Sequence, residues 1–170
     1  MEDKILESFA YILPAAITGF VAYYMFNGFL NNTLKEKKLA LLAQQKKESL
    51  PIKLQAYERL MLFCERINPV KMLMRIQPIS TNTNDYLELL IANINQEFEH
   101  NLVQQIYISD ETWTAIYAAK NAVINKLKKV AENASSAKDL RENVLIDYSK
   151  STPPTETAIV FIKKEVRKLL

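Results

Sequence analysis

From Ser8 to Leu34 the chain carries no charged side chain, a run of 27 residues. Its densest part, Phe9 to Leu30 (FAYILPAAITGFVAYYMFNGFL), is 22 residues long. As an α-helix rising ~1.5 Å per residue it would reach about 33 Å, enough for a hydrocarbon core of about 30 Å. Three features speak against a cleaved signal peptide. The leading MEDKILE is acidic rather than basic. The apolar stretch exceeds the usual ~7–15 residues, and no small-x-small site closes it. A buried core helix is the other alternative. It is disfavoured because tyrosines and phenylalanines occur on every side and leave no polar face.

The flanks set an orientation. Glu2, Asp3, Lys4 and Glu7 precede the run with net −2; Lys35, Glu36, Lys37, Lys38, Lys46, Lys47 and Glu48 follow it with net +3. Lysine-rich flanks stay in the cytoplasm. The expected layout is therefore a short extracytoplasmic tail (1–7), a transmembrane helix (8–34), a basic juxtamembrane stalk helix (35–50) and a cytoplasmic helical bundle (51–170). Tyr11 suits an interfacial belt. Pro14 falls within the first two turns, where a missing backbone donor costs least.

Ala15, Gly19 and Ala22 stand at i, i+4 and i+7, on one helix face. Small residues in that register let a second helix approach closely. They are the candidate helix–helix contact in the membrane, although small residues are also common in spans generally. In the stalk, Lys35, Lys37, Lys38, Lys46 and Lys47 serve either to fix topology or to attract anionic headgroups, at about 1 kcal/mol each near the surface.

Glycine usage narrows the chemistry. The chain has 2 glycines, Gly19 and Gly28, and none from Asn31 to Leu170. That excludes a Walker-type phosphate loop, a dinucleotide fingerprint and a glycine-flanked nucleophile elbow. It also argues against tight β-hairpins, whose turns need positive φ. With 1 His and 1 Cys, one chain cannot build a His/Cys metal cage.

Beyond the stalk the pattern is helical throughout. Pro51 suits the first turn of a new helix over 51–67, with Leu54, Tyr57, Met61 and Cys64 on one stripe, widened by Leu60, Phe63 and Ile67. Asn68-Pro69 reads as cap and first position of a short helix ending near Gln77-Pro78. A helix over about 85–106 would bury Leu87, Ile91, Ile94, Phe98 and Leu102. Ser109 would cap the next, running to about Asn133, with Ile108 and Trp113 placed as a hydrophobic staple and Trp113, Ile116, Val123, Leu127 and Val130 inward. Ser136 with Asp139 resembles a capping box, opening a helix whose face is Leu140, Val144 and Tyr148. A last helix, about 155–169, would bury Ile159, Ile162, Val166 and Leu169 and expose Lys163, Lys164, Arg167 and Lys168. Only 105–108 (QIYI) has any strand character, and it reads as a helix end. The prolines share no period, so a helical-repeat array is not expected. The fold class is all-α.

Charge is segregated. Residues 81–112 hold six acidic and no basic side chains; residues 113–170 hold 11 basic and 6 acidic ones. Either helices complement one another within the bundle, or acidic and basic surfaces face different partner proteins. Glu97-Phe98-Glu99-His100 contains a Glu-x-x-His pair at helical spacing, of the kind di-iron bundles use twice. Because His100 stands alone, only a symmetric dimer could complete such a site. Cys64 lies on an apolar stripe and reads as a core thiol, in keeping with a reducing compartment. Basic groups are not interleaved with aromatics, so nucleic acid is not an expected partner.

The helices at 54–69 (LQAYERLMLFCERINP) and 97–116 (EFEHNLVQQIYISDETWTAI) resemble an uncharacterised Bacteroidota family of small single-pass membrane proteins with a helical cytoplasmic domain. The resemblance covers nearly the whole chain and rests on the wording of helices. It implies an inner-membrane location in a Gram-negative cell and supplies no active-site residue.

The expectation is a non-enzymatic, membrane-anchored interaction or scaffold protein, an accessory subunit of an inner-membrane complex. Its partners would be the lipid bilayer and other membrane or cytoplasmic proteins, with a homo-oligomer among the options. The alternative is a module that binds anionic lipid at the cytoplasmic face; a metal-dependent enzyme using Glu97 and His100 ranks below both. No catalytic residue, cofactor or metal site is expected.

Overall fold

The computed structural model describes residues 2–169, with side chains described at residue 14 and from 16 to 169. Among them are six α-helices and one 3₁₀ segment, and no strand. The chain divides into two compact units, Met1–Ser49 and Leu50–Leu170.

The first unit consists of the N-terminal part of helix α1 (Glu2–Arg66). Leu, Ala, Lys, Gln and Glu, all strong helix formers, fill residues 34–48. Local bonds add to it: Thr33 Oγ1 donates to the Phe29 carbonyl at 2.9 Å, and Gln44 Nε2 to Glu48 Oε1 at 3.0 Å. Among its described side chains, Phe20, Tyr24, Met25, Phe29, Leu34, Leu39 and Leu42 are uncovered.

No new helix opens at Pro51. The residue sits in the interior of α1. Proline has no N–H, so the carbonyl four residues earlier loses its helical partner. Pro51 is exposed, which leaves water free to take that acceptor. Burial of Ala56, Tyr57 and Leu60 just beyond it holds the helical course.

In the second unit the caps at Asn68, Ser109 and Ser136 follow the sequence. Asn68 Oδ1 accepts from Val70 N at 3.1 Å and Lys71 N at 3.4 Å, opening α2 (Pro69–Arg75). The Asn68 amide also donates to Thr155 Oγ1 at 3.4 Å, so this buried cap ties α2 to the last helix. Asn82 caps α3 (Thr83–Asn101) through Asn84 N at 2.8 Å. Leu102–Tyr107 then tightens into the 3₁₀ segment, which takes in most of the QIYI stretch. Ser109 caps α4 (Asp110–Ala131) by accepting from Thr112 N at 3.3 Å. Ser136 caps α5 (Ala137–Ser149) by accepting from Asp139 N at 3.2 Å. The returning half of that box is displaced by one residue, since Asp139 Oδ2 accepts from Ser135 N at 2.9 Å. α6 spans Pro154–Leu169.

The core is one cluster to which every helix of this unit contributes, with Leu60, Phe63, Leu73, Tyr86, Leu127 and Ile162 among its largest fully buried members. α4 and α6 pack along one another extensively. Arg141 Nε donates to the Leu73 carbonyl at 3.1 Å and closes the end of α2 against α5. Tyr86 buries its ring and donates its hydroxyl to the Ile76 carbonyl at 2.7 Å.

One helix turns a different face inward than its sequence suggests. α3 buries Tyr86, Leu90 and Ile94, while Leu87 and Phe98 are only partly buried and Leu102 is exposed. Apolar residues at 86, 87, 89, 90 and 91 occupy more than half the circumference, so the period alone fits two registers. The switch to 3₁₀ geometry at Leu102 then breaks the stripe at its end.

Candidate functional site

The best-organised polar cluster joins three helices. One turn beyond the buried Ile162, α6 brings Glu165 beside the start of α4. Ser109 N donates to Glu165 Oε1 at 2.9 Å and Ser109 Oγ donates to Oε2 at 3.0 Å. The side chains of Thr112 and Tyr57 stand near the same carboxylate and favour its charged form. Tyr57 belongs to α1 and is buried. Burial works against the charged form of Glu165, yet these hydrogen bonds outweigh it and hold the carboxyl below its usual range. The positive end of the α4 dipole acts in the same direction. Tyr57 moves the other way: burial, then the neighbouring Glu165 carboxylate, pushes its phenol up.

This arrangement predicts an acid-sensitive junction. The folded-state value of Glu165 lies below the ordinary 4.5. Its contribution is therefore complete above that value and fades as pH falls through the lower folded one. Glu165→Gln should lower the urea midpoint at about pH 7, and the gap to the native chain should narrow at about pH 3. An equal gap at both pH values would contradict the assignment.

Beside this junction an apolar groove of about 610 Å³ runs between α1 and α6. Leu54, Met61 and Leu62 face Ile162 and Val166 across it, with Glu58 on the α1 side and Lys163 and Arg167 on the α6 side. A second depression, about 670 Å³, lies between α4 and α6, lined by Ala115, Ala118 and Ala122 with Phe161 and, at its acidic edge, Asp110 and Glu111.

The aromatic residues form a separate cluster. The Phe98 ring stacks on Trp113 at 5.4 Å and meets Phe63 and Tyr117 at 5.8 and 5.9 Å. Lys120 Nζ stands 4.4 Å from its centroid, a cation–π contact. Trp113 and Phe98 both pack against the core.

The Glu-x-x-His pair is divided between two roles. Glu97 Oε1 is paired with Arg66 Nε at 3.2 Å, and His100 is exposed. Among the described residues no group of three or more His, Cys, Asp and Glu is placed to hold a metal ion. Cys64 is fully buried; burial first, then neighbouring Glu65, pushes its thiol up to about 12 against a small opposing backbone hydrogen bond. It stays protonated and unreactive at neutral pH.

Of the three small residues proposed for a helix contact, the Ala15 side chain lies outside the described residues. Gly19 has open space where a Cβ would stand, and Ala22 is exposed. Lys35, Lys37, Lys38, Lys46 and Lys47 are all exposed. The ion pairs among the described residues leave these five lysines free. They also leave the separated charge blocks largely unjoined: the acidic stretch 81–112 contributes only Glu97, and its partner Arg66 comes from α1.

A family model, described as a family of unknown function (DUF7935), matches residues 3–169. The chain belongs to DUF7935. No curated protein and no solved structure matches it. In this DUF7935 chain the Tyr57–Ser109–Glu165 junction escapes sequence reasoning. Ser109 and Glu165 are 56 residues apart, and each looks locally complete, one as a helix cap and the other as part of a charged face.

Proposed function

We propose that this DUF7935 chain is a non-enzymatic, membrane-anchored interaction protein. Its N-terminal helix would cross the inner membrane of a Bacteroidota cell with the N-terminus outside. The helical bundle would serve on the cytoplasmic face as accessory subunit or scaffold of a membrane complex. The observation that carries the reading is the uncovered apolar surface of the first unit, where Phe20, Tyr24 and Met25 are 69, 73 and 71% exposed. A contiguous surface of that kind needs lipid or another protein against it. The clustered polar side chains of the bundle, by contrast, are engaged in joining helices, as Glu165 and Asn68 are.

Among the described residues no helix is long and apolar enough to cross a membrane. Phe9 to Leu13 and Ala15, which belong to the densest part of the apolar run, lie outside them at side-chain level. What remains is diluted by Tyr23, Tyr24, Asn27, Asn31 and Asn32.

The second reading, binding to anionic lipid headgroups, is favoured by exposed Lys35, Lys37, Lys38, Lys46 and Lys47 in the first unit and by exposed Lys163, Lys164, Arg167 and Lys168 on α6. One fractionation separates the two. The full chain is expected in the membrane pellet, and it should stay there through high salt and alkaline carbonate. Release by salt would favour headgroup contact alone; recovery in the soluble fraction from the outset would sink both readings.

A further inference from the structure

We propose that the groove between α1 and α6 is a self-association surface, occupied by the same groove region of a second copy of this chain. The claim concerns residues 54–167 only and stands independently of membrane anchoring.

The groove has an apolar bed and two walls of opposite charge. Leu54, Met61, Ile162 and Val166 make the bed, and its volume of about 610 Å³ is large enough to receive side chains from a neighbouring helix. Leu62 stands at the edge of the α1 wall with 56% of its surface exposed, a large apolar side chain with no cover in the monomer. Among the described residues, Glu58 on that wall is exposed and takes part in no ion pair, and on the α6 wall Lys163 and Arg167 are likewise exposed and without an ion-pair partner. The opposite charges therefore line one cleft without neutralising each other across it.

That pattern is what a two-fold contact requires. In an isologous dimer one patch must complement itself, so residue i meets residue j and j meets i. An acidic wall and a basic wall flanking an apolar bed satisfy this condition. Rotation by half a turn brings the Glu58 wall of each copy to the Lys163 and Arg167 wall of the other, and sets Leu62 of each over the other's bed. An acidic partner would suit only the α6 wall, and a basic partner only the α1 wall.

The test uses the full chain in mild detergent, with molar mass from light scattering and sedimentation over a wide concentration range. The native chain should dimerise. Glu58→Lys should weaken the dimer about tenfold or more, because it places like charges together at both symmetric contacts. Lys163→Glu with Arg167→Glu should weaken it similarly. Joining all three substitutions should restore association, which no general loss of folding would produce. Mixing a Glu58→Cys chain with a Lys163→Cys chain should give a crosslinked heterodimer. Cys64 is buried and stays out of that reaction. A native chain that remains monomeric overturns the proposal. So does a dimer indifferent to these reversals, which would mean that the copies meet elsewhere, for instance through Gly19 and Ala22. Leu62→Asp serves as a charge-independent check and should also give monomers; a dimer that tolerates it counts against the groove.

Discussion

Phe63→Ala is expected to destabilise the bundle by about 3–5 kcal/mol, the range for deleting a buried aromatic ring. Phe63 is only 1% exposed and belongs to the central cluster. Its ring also meets Phe98 at 5.8 Å, and Phe98 in turn stacks on Trp113. The substitution thus opens a cavity and removes the inner support of the aromatic cluster. In thermal unfolding the midpoint should fall by on the order of 10–20 °C for a domain of this size. Phe63→Leu, which keeps most of the volume, should cost under about 1.5 kcal/mol. A loss below about 1 kcal/mol for the alanine would show that the ring is not enclosed as described.

Phe20→Arg combined with Met25→Arg is expected to move the chain out of the carbonate-resistant membrane fraction. Both positions are bare, at 69 and 71% exposed, and both lie inside the apolar run Ser8–Leu34. At a helix centre in lipid each arginine costs about 2.5–3.5 kcal/mol on the insertion scale, so the pair opposes insertion by about 5–7 kcal/mol. Leu41→Arg is the control. It lies among the lysines beyond the run and should leave the distribution unchanged. If the double variant stays as firmly in the membrane as the native chain, the run is not what holds the protein there, and the anchoring proposal fails.

The fold class was legible because local chemistry and global packing agree in most of this chain. Asn68, Ser109 and Ser136 read as caps and act as caps, since a side-chain acceptor satisfying an amide two or three residues on is decided within one turn. The inner faces of α4 and α6 follow from periods that fit one register: Ile116, Val123 and Leu127 are buried, as are Ile159 and Ile162. Pro51 misleads because its signal is conditional. Proline favours a helix start, but strong helix formers before it and core residues after it can carry α1 through. α3 misleads because its apolar residues fit two registers, and only tertiary packing chooses Tyr86, Leu90 and Ile94. The Tyr57–Ser109–Glu165 junction was illegible for a different reason. It joins side chains from three helices, and nothing within a helix turn of any of them reveals the others.

Cys64 has a consequence of its own. It is the single thiol of the chain, it is sealed in the core, and its proton is held tightly. A thiol reagent can reach it only during the moments when α1 lifts from its neighbours. Its rate of modification is therefore a built-in clock of how often the bundle breathes. It can be read in detergent, in vesicles or in living cells without adding any label.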